Sequence, residues 1–294
     1  MQRLLNRFLL LQPAWLPTVL FIPLLYALGW IAAVPLTLIG LPADQVPLTG
    51  TVLSFVLFLL VMPRWAAMRW SERRPWTRLG LVAHRTRGRI VHVQSLGMGL
   101  LMSLALISLI VSLLLFSGRG AWQSTLEIKT LFNCLLLVLG VGLAEELIFR
   151  AWLWEELTLM LGPMGGMLGQ AALFSLVHTR FNLGIWPMLG LLTGLFLLGL
   201  VLALLRLRDQ GCLWGSIGLH GGLVGGWFLV HQNLLTIEPN APMWLVGPGG
   251  SHSNPLGGVV AILSLAVIST LLIKTTKPAR LRQSINSAHN EQQC

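Results

Sequence analysis

The decapeptide VGLAEELIFR, residues 141–150, places two carboxylates and an arginine inside a long apolar stretch. The stretch runs over residues 129–161, which is more than a helix needs to cross a hydrocarbon core of about 30 Å. Ionisable side chains are costly at that depth and usually serve a function. Glu145, Glu146 and Arg150 are therefore the first candidates for a functional site.

The composition of the whole chain is that of a membrane protein. Of 294 residues, 55% are hydrophobic and 10% are charged, whereas a soluble domain carries about 25% charged residues. Apolar stretches of spanning length recur at 14–38, 47–62, 95–117, 129–161, 164–183, 185–205, 212–230 and 255–273. The predicted fold class is all-α, a polytopic membrane helix bundle of about eight transmembrane helices.

The positive charges are distributed unevenly between the two sides of this bundle. The formal net charge is +10, yet one side keeps only Arg119, Lys129 and Arg180 among the lysines and arginines. The positive-inside rule therefore predicts a multi-pass protein with both termini in the cytoplasm. Because the positive charges flank apolar stretches, the predicted partners are lipid headgroups and not nucleic acid.

The predicted domain organisation follows the spans. Residues 1–124 hold N-terminal membrane helices with a basic cytoplasmic segment at 63–92, which is either a topology anchor or a lipid-docking surface. The central segment, 125–235, holds the acidic pair. An external loop and the last membrane helix follow at 236–273, and a basic and polar tail ends the chain at 274–294.

Two further spans contribute histidines to the level of the acidic pair. His178 lies in the predicted fifth span and His220 in the seventh. If the cytoplasmic surface lies near residues 155, 166 and 211, a rise of about 1.5 Å per residue places Glu145, His178 and His220 roughly 15, 18 and 14 Å deep. The three side chains are therefore expected to meet near the middle of the membrane.

Residue spacing divides the acidic pair into two roles. Glu146 and Arg150 are four residues apart and share a helix face, whereas Glu145 is turned by about 100° and is free for other partners. A carboxylate and an imidazole can hold and deprotonate a water, and a second imidazole can stabilise an oxyanion. The residues alone leave three alternatives open: a zinc site on the same side chains, a serine mechanism, and purely structural contacts.

Taken together, these residues resemble three motifs of the CPBP family, which includes the type II CAAX prenyl endopeptidases and bacteriocin-processing or immunity proteins. The EExxxR motif matches 145–150 and the FxxxH motif matches Phe174 and His178. The third motif, HxxxN or a similar polar ending, matches only at His220, since Val224 stands at its last position. The resemblance covers roughly 125–235, and the glycine-rich run after His220 is similar to cyanobacterial and plastid-type members.

The resemblance implies an intramembrane polar cavity open to the cytoplasmic side and a glutamate-type endopeptidase. Glu145 and His178 would activate the water, and His220 would help to form the oxyanion hole. The substrate would be a membrane-associated or lipidated peptide or protein. No cofactor is implied, and zinc remains the open alternative. The predicted catalytic residues are Glu145, Glu146, His178 and His220, and the supporting residues are Arg150, Phe174 and Val224.

Val224 keeps a second hypothesis open. Losing one oxyanion donor would cost roughly 10²–10³ in rate. Asn133 and Gln170 are the nearby candidates for a substitute donor, whereas Asn182 is expected nearer the outer surface. The alternative function is a non-proteolytic membrane scaffold or bacteriocin-immunity-type protein that retains the fold. A transporter or proton relay is a third hypothesis, although no pair of broken helices supports it.

Overall fold

The computed structural model describes residues 2–82, 90–123, 125–249 and 253–276. Most of the predicted C-terminal tail and part of the basic segment, residues 83–89, lie outside the described residues. The chain divides into two compact units, Met1–Arg78 and Leu79–Cys294, so the predicted N-terminal segment 1–124 is shared between them.

The first unit is built around two packed helices. Glycines allow their backbones to approach closely, because a Cβ on Gly29 would overlap Ser54. The ring of Phe21 packs between Phe58 and Trp65 on the same interface, with centroids 5.9 and 4.2 Å away. The helices of this unit are α1 (Gln2–Leu9), α2 (Trp15–Ala33, continued by a 3-10 turn at Val34–Ile39), α3 (Val46–Arg69, preceded by a 3-10 turn at Ala43–Gln45) and α4 (Pro75–Arg78).

The second unit contains the remaining helices and one small sheet. Its elements are α5 (Ile90–Phe116), β1 (Gly120–Trp122), α6 (Ile128–Leu136), α7 (Gly142–Glu146), α8 (Trp154–Val177), α9 (Ile185–Arg208), α10 (Trp214–Leu229), β2 (Leu235–Ile237), α11 (Met243–Val246) and α12 (Val259–Thr275). Strands β1 and β2 pair antiparallel, with Ala121 opposite Thr236. Helix α10 lies at the centre, since it contacts α5, α6, α7 and α9.

Helix directions in this unit alternate as the predicted spans require. Helix α10 runs parallel to α5, because Gly215 lies beside Gly99 and Gly222 beside Ser103. It runs antiparallel to the helix that carries the acidic pair, since Gly225 lies beside Cys134 and Gly221 beside Val138. Small residues at each of these contacts let the helix backbones come close without a loss of packing.

The spans agree with a membrane-crossing bundle. Among the described residues, five helical stretches are long and apolar enough to cross a membrane: Trp15–Ile39, Ala43–Arg69, Ile90–Phe116, Ile128–Val177 and Ile185–Arg208. The stretch at 128–177 bends at Gly162, where φ is 74° and Pro163 follows, so it supplies the predicted fourth and fifth spans. With the shorter apolar helix Val259–Thr275, the predicted helical membrane bundle is confirmed.

The fifth span ends earlier than the sequence predicted. Helix α8 stops at Val177, and the chain turns through 178–184 before α9 begins. The backbone N–H of His178 bonds back to the Ser175 carbonyl and that of Leu183 to the Arg180 carbonyl, so local turns take over from helix. His178 thus lies at a helix end and not in the middle of a span.

The two ends of the second unit differ in charge. One end, the basic end, carries Arg206, Arg208 and Lys274 at the ends of α9 and α12. The opposite end, the hairpin end, contains β1, β2, the turn at 178–184 and the segment 253–258. That segment packs on the first half of α9, where a Cβ on Gly190 would approach the Gly257 carbonyl and a Cβ on Gly194 would overlap the Leu256 carbonyl.

Candidate active site

Glu146 and Arg150 form a fully buried ion pair within one helix. Arg150 Nη1 lies 3.0 Å from Glu146 Oε1, and neither side chain is exposed. The approach is an ion pair without hydrogen-bond geometry, because the guanidinium lies over the Phe174 ring with its carbon 3.9 Å from the ring centroid. The predicted pairing at a spacing of four residues is therefore present.

The backbone around the acidic pair departs from regular α-helix on both sides. Turns of π-helix cover Leu137–Val141 and Leu147–Leu153, and the short helix α7 lies between them. Such π-turns are rare and frequently occur at functional sites. They rotate the side chains that follow relative to an unbroken α-helix.

His220 reaches the acidic pair from α10. Its Nδ1 lies 2.8 Å from Glu146 Oε1, and the histidine is buried. As the carboxylate accepts, Nδ1 donates, and the Nε2 of a neutral imidazole carries the lone pair. This Nε2 lies 3.8 Å from Glu145 Oε2. Sequence reasoning assigned His220 to Glu145 alone and missed its bond to Glu146, because no spacing within one helix reports contacts between helices.

His178 is oriented in the same way from the end of α8. Its Nδ1 lies 2.7 Å from the Phe174 carbonyl oxygen, which can only accept. Nδ1 therefore carries the proton, and Nε2 points towards Glu145 Oε2 at 3.6 Å. Both histidines thus present Nε2 to the same carboxylate oxygen.

The oxygen that receives both histidines has no hydrogen bond. Glu145 Oε2 is buried and has no hydrogen-bond partner among the described residues. The separations of 3.6 and 3.8 Å exceed hydrogen-bond length, but a water at about 2.8 Å from each atom fits between such groups. Because three acceptors converge when both histidines are neutral, the site favours a donor such as water, or a cation.

The same side chains are the candidates for holding a metal. Two histidines and a glutamate are suitable zinc ligands, and histidine ligands usually donate their other N–H to a carboxylate or a carbonyl, as His220 and His178 do here. In the part of the chain that the structure describes, no group of three or more such side chains has the geometry of a metal site.

Phe174 joins the parts of the site. Its ring is completely buried, with centroids 4.8 Å from the ring of His178 and 5.5 Å from that of His220. The contact with His220 is edge-on, and the guanidinium of Arg150 lies over the Phe174 ring. The phenylalanine of the FxxxH motif therefore contacts both imidazoles and the guanidinium.

A cavity of about 340 Å³ opens onto Glu145, His178 and His220. Along α10 its wall is formed by one face of the helix, with His220, Val224 and Trp227 at spacings of four and three residues. Val224 therefore faces the cavity, one turn beyond His220, at the position where the family motif is polar. Apart from the histidines and Glu145 the lining is mainly apolar, contrary to the predicted polar cavity.

Neither predicted substitute for the missing polar group lines this cavity. Gln170 is buried, and its amide donates to the carbonyls of Met167 and Gly199. Asn133 and the exposed Asn182 are also outside the cavity wall.

Sequence reasoning also missed the polar lining residues Arg180 and Ser264, and with them Ser253 and Asn254, which come from the predicted external loop. No motif spacing could reveal Ser253 and Asn254, since they reach the site only through the fold of that loop.

The serines of the neighbouring spans have structural partners. Ser175 Oγ donates to the Leu192 carbonyl at 2.7 Å, and Ser216 Oγ donates to the Leu202 carbonyl at 2.9 Å. Both hydroxyls thus satisfy backbone groups of α9. Neither serine lines the cavity.

The cavity extends towards the hairpin end. Its lining includes Arg180 and residues 253–256, and none of the basic-end residues Arg206, Arg208 and Lys274. Whether the cavity opens on the cytoplasmic side depends on which side of the membrane the hairpin end faces, so that opening stays a prediction. The segment 253–258 reads as a loop in the sequence, whereas it folds against α9 and borders the cavity.

Comparison with protein-family models places this site in a known family. Residues 127–225 match the model described as type II CAAX prenyl endopeptidase Rce1-like, and residues 2–74 match a domain of unknown function (DUF8676). Neither the curated proteins nor the solved structures yielded a match. The Rce1-like match contains the acidic pair, both histidines and Val224. The chain is a polytopic helical membrane protein whose residues 127–225 form a domain of the CPBP/CAAX protease family.

Proposed function

We propose that the protein is an intramembrane endopeptidase of the glutamate type, which hydrolyses a peptide bond with water activated by Glu145 and His178. The observation that carries the proposal is the unbonded Glu145 Oε2, facing one imidazole Nε2 at 3.6 Å and another at 3.8 Å. A catalytic base need only reach the water that it deprotonates, and these distances allow one shared water.

In the first step the water donates one proton to Glu145 and hydrogen-bonds to His178 Nε2 while its oxygen attacks the carbonyl carbon. The bond from His178 Nδ1 to the Phe174 carbonyl keeps Nε2 as the acceptor throughout. Glu145 then passes the proton to the leaving amine as the C–N bond breaks. The products are a carboxylic acid and an amine, which become a carboxylate and an ammonium ion when the second water proton passes from the acid to the amine, so no further reactant is needed.

His220 would stabilise the oxyanion that forms in this step. Its Nδ1 bond to Glu146 fixes the ring so that Nε2 faces Glu145. When the ring carries both protons, Nε2–H would donate to the oxyanion. Arg150 balances the charge of Glu146 inside the protein. Val224 supplies no donor, so His220 would act without the second polar group of the family motif.

The substrate class and membrane orientation follow from the surroundings of the site. A largely apolar cavity within a membrane protein fits a membrane-associated or lipidated peptide, and nucleic acid has no place in this proposal. The charge bias favours both termini in the cytoplasm, with membrane lipids around the bundle.

The donor set of one glutamate and two histidines keeps metal-assisted hydrolysis as a second candidate, although the spacing of these side chains is not that of a metal site. Glu145, His178 and His220 would then hold a zinc ion, which would polarise the carbonyl and lower the pKa of its water. A chelator separates the two mechanisms, because the glutamate mechanism predicts unchanged cleavage after dialysis against EDTA, whereas loss and recovery with zinc would support the metal.

The test uses the purified full-length protein in lipid nanodiscs with libraries of prenylated and unmodified membrane peptides. Cleavage by the wild type and its loss in Glu145→Gln are expected. The matched control is Glu127→Gln, an exposed glutamate just before α6, which should cleave normally. The absence of cleavage in both libraries by well-folded wild type would contradict the proposal and support the scaffold alternative, whose biological role should tolerate Glu145→Ala.

A further inference from the structure

The cavity that contains Glu145 extends from the Glu145, His178 and His220 cluster to the hairpin end, where Arg180, Ser253 and Asn254 join the lining. His178 itself begins the turn at 178–184. The rest of the lining is apolar except for Ser264 on α12, whose hydroxyl donates to the Val260 carbonyl.

The segment with Ser253 is fixed to the cavity wall. Trp227 Nε1 donates to the Ser253 carbonyl at 3.1 Å, and Trp227 lies two turns beyond His220 on the same face of α10. On the other side, Gly194 of α9 lets the Leu256 carbonyl approach its backbone. The segment therefore forms a defined border of the cavity, held by two helices.

This border carries an unsatisfied polar group. Ser253 is 6% exposed, and its hydroxyl has no hydrogen-bond partner among the described residues. A buried hydroxyl without a partner costs about 1–3 kcal/mol, so a water or a polar ligand is expected there. Arg180 adds an exposed positive charge to the same border.

The basic end carries a separate cavity of about 370 Å³ beside Arg208, Asp209 and Gln210, and none of the residues that line it also lines the cavity at Glu145. In the helix that follows Glu145, the side chains of Glu146, Arg150 and Trp152 are fully buried. Farther along, the guanidinium of Arg206 donates to the Arg150 carbonyl and lies 3.9 Å from Glu155 Oε1. These contacts pack the space between Glu145 and the basic end.

From this asymmetry the geometry points to an entrance at the hairpin end, through which water and an extended peptide segment reach Glu145 past Arg180 and Ser253. With the basic end in the cytoplasm, the cleaved segment is one exposed on the extracytoplasmic side of the membrane. This identification of the substrate rests on the proposed endopeptidase function, whereas the route for water does not. The cavity volume of about 340 Å³ would hold roughly ten waters at about 30 Å³ each.

Cysteine accessibility tests the entrance directly. The full-length protein, with its native cysteines replaced by alanine, receives Val224→Cys in the cavity wall. Cells with an exposed outer face and inverted membrane vesicles are treated with a permanently charged methanethiosulfonate reagent, which requires a water-filled route. Arg180→Cys and Arg208→Cys report which side each end of the bundle faces, and Leu104→Cys, on the exposed apolar face of α5, is the lipid-facing control.

Val224→Cys should be labelled from the side that labels Arg180→Cys. It should not be labelled from the side that labels Arg208→Cys. Labelling from the Arg208→Cys side, from both sides, or only after denaturation would overturn the entrance. Ser264→Cys, a near-isosteric change in the cavity wall on α12, repeats the test if Val224→Cys does not fold. Since labelling needs no cleavage, failure of the protease activity and failure of the entrance are distinguishable.

Discussion

The two adjacent carboxylates at the centre of the protein have opposite surroundings. Glu146 is completely buried and contacts Arg150 and His220 through one oxygen. Each carboxylate has one buried oxygen without a hydrogen bond among the described residues, but Glu145 lines the cavity, its side chain is 27% exposed, and its free oxygen faces two imidazoles. Adjacent residues can therefore divide structure and chemistry between them, because neighbouring helix positions face different neighbours. The predictions below test that division.

Removing the charge of Glu145 should have the largest effect on activity and little effect on stability. Glu145→Gln is expected to lower the cleavage rate by roughly 10²–10⁴-fold, the usual contribution of a general base. The stability should stay within about 0.5 kcal/mol or rise, because an amide could donate to one of the facing imidazoles and sites that serve function are often not optimal for stability. Peptide cleavage and chemical unfolding, measured on the same preparation, check both parts. A clear loss of stability in Glu145→Gln would contradict the proposal that Glu145 serves chemistry and Glu146 serves structure.

Removing the charge of Glu146 should reverse that pattern. Glu146→Gln leaves Arg150 charged and buried without its counter-charge, which typically costs about 3–5 kcal/mol. The midpoint of unfolding in detergent, followed by tryptophan fluorescence, measures the change. The double variant Glu146→Leu with Arg150→Met should recover stability, because apolar replacement of a whole buried pair is often neutral. It should not recover cleavage, since His220 would lose its Nδ1 partner.

The division was largely predictable within one helix and much less so between helices. The spacing of Glu146 and Arg150 predicted their ion pair, and hydropathy predicted the spans, because both depend on near neighbours in sequence. The bond from Glu146 to His220, the early end of α8 at Val177, and the position of Ser253 depend on the approach of separate elements. The sequence likewise could not show that residues 253–256 line the cavity, since a loop that folds into the bundle has no periodic pattern.

A polar group at Val224 should raise the cleavage rate at Glu145 and leave the buried contacts of Glu146 unchanged. If the missing family donor limits the reaction, Val224→Asn should raise the cleavage rate by up to roughly 10²–10³-fold, the value of one oxyanion donor. Val141→Asn places the same new amide elsewhere in the cavity wall and should give no gain. Equal rates for both variants and the wild type would show that the oxyanion does not form beside Val224.

The smallest effect is expected at the contact that holds α10, with His220, against the helix that carries the acidic pair. Gly221 follows His220 on α10, and a Cβ there would overlap the backbone of Val138 on the helix that carries the acidic pair. Gly221→Ala should therefore push the helices apart and cost about 1–3 kcal/mol, the usual cost of overpacking. Gly97→Ala is the matched control, because a Cβ on Gly97 of α5 meets open space. In Gly221→Ala the movement should also shift His220 away from Glu146, so cleavage should fall together with stability, unlike the separate losses in Glu145→Gln and Glu146→Gln. If Gly221→Ala and Gly97→Ala unfold at the same denaturant concentration, the glycine contact is not what sets the distance between the histidine and the acidic pair.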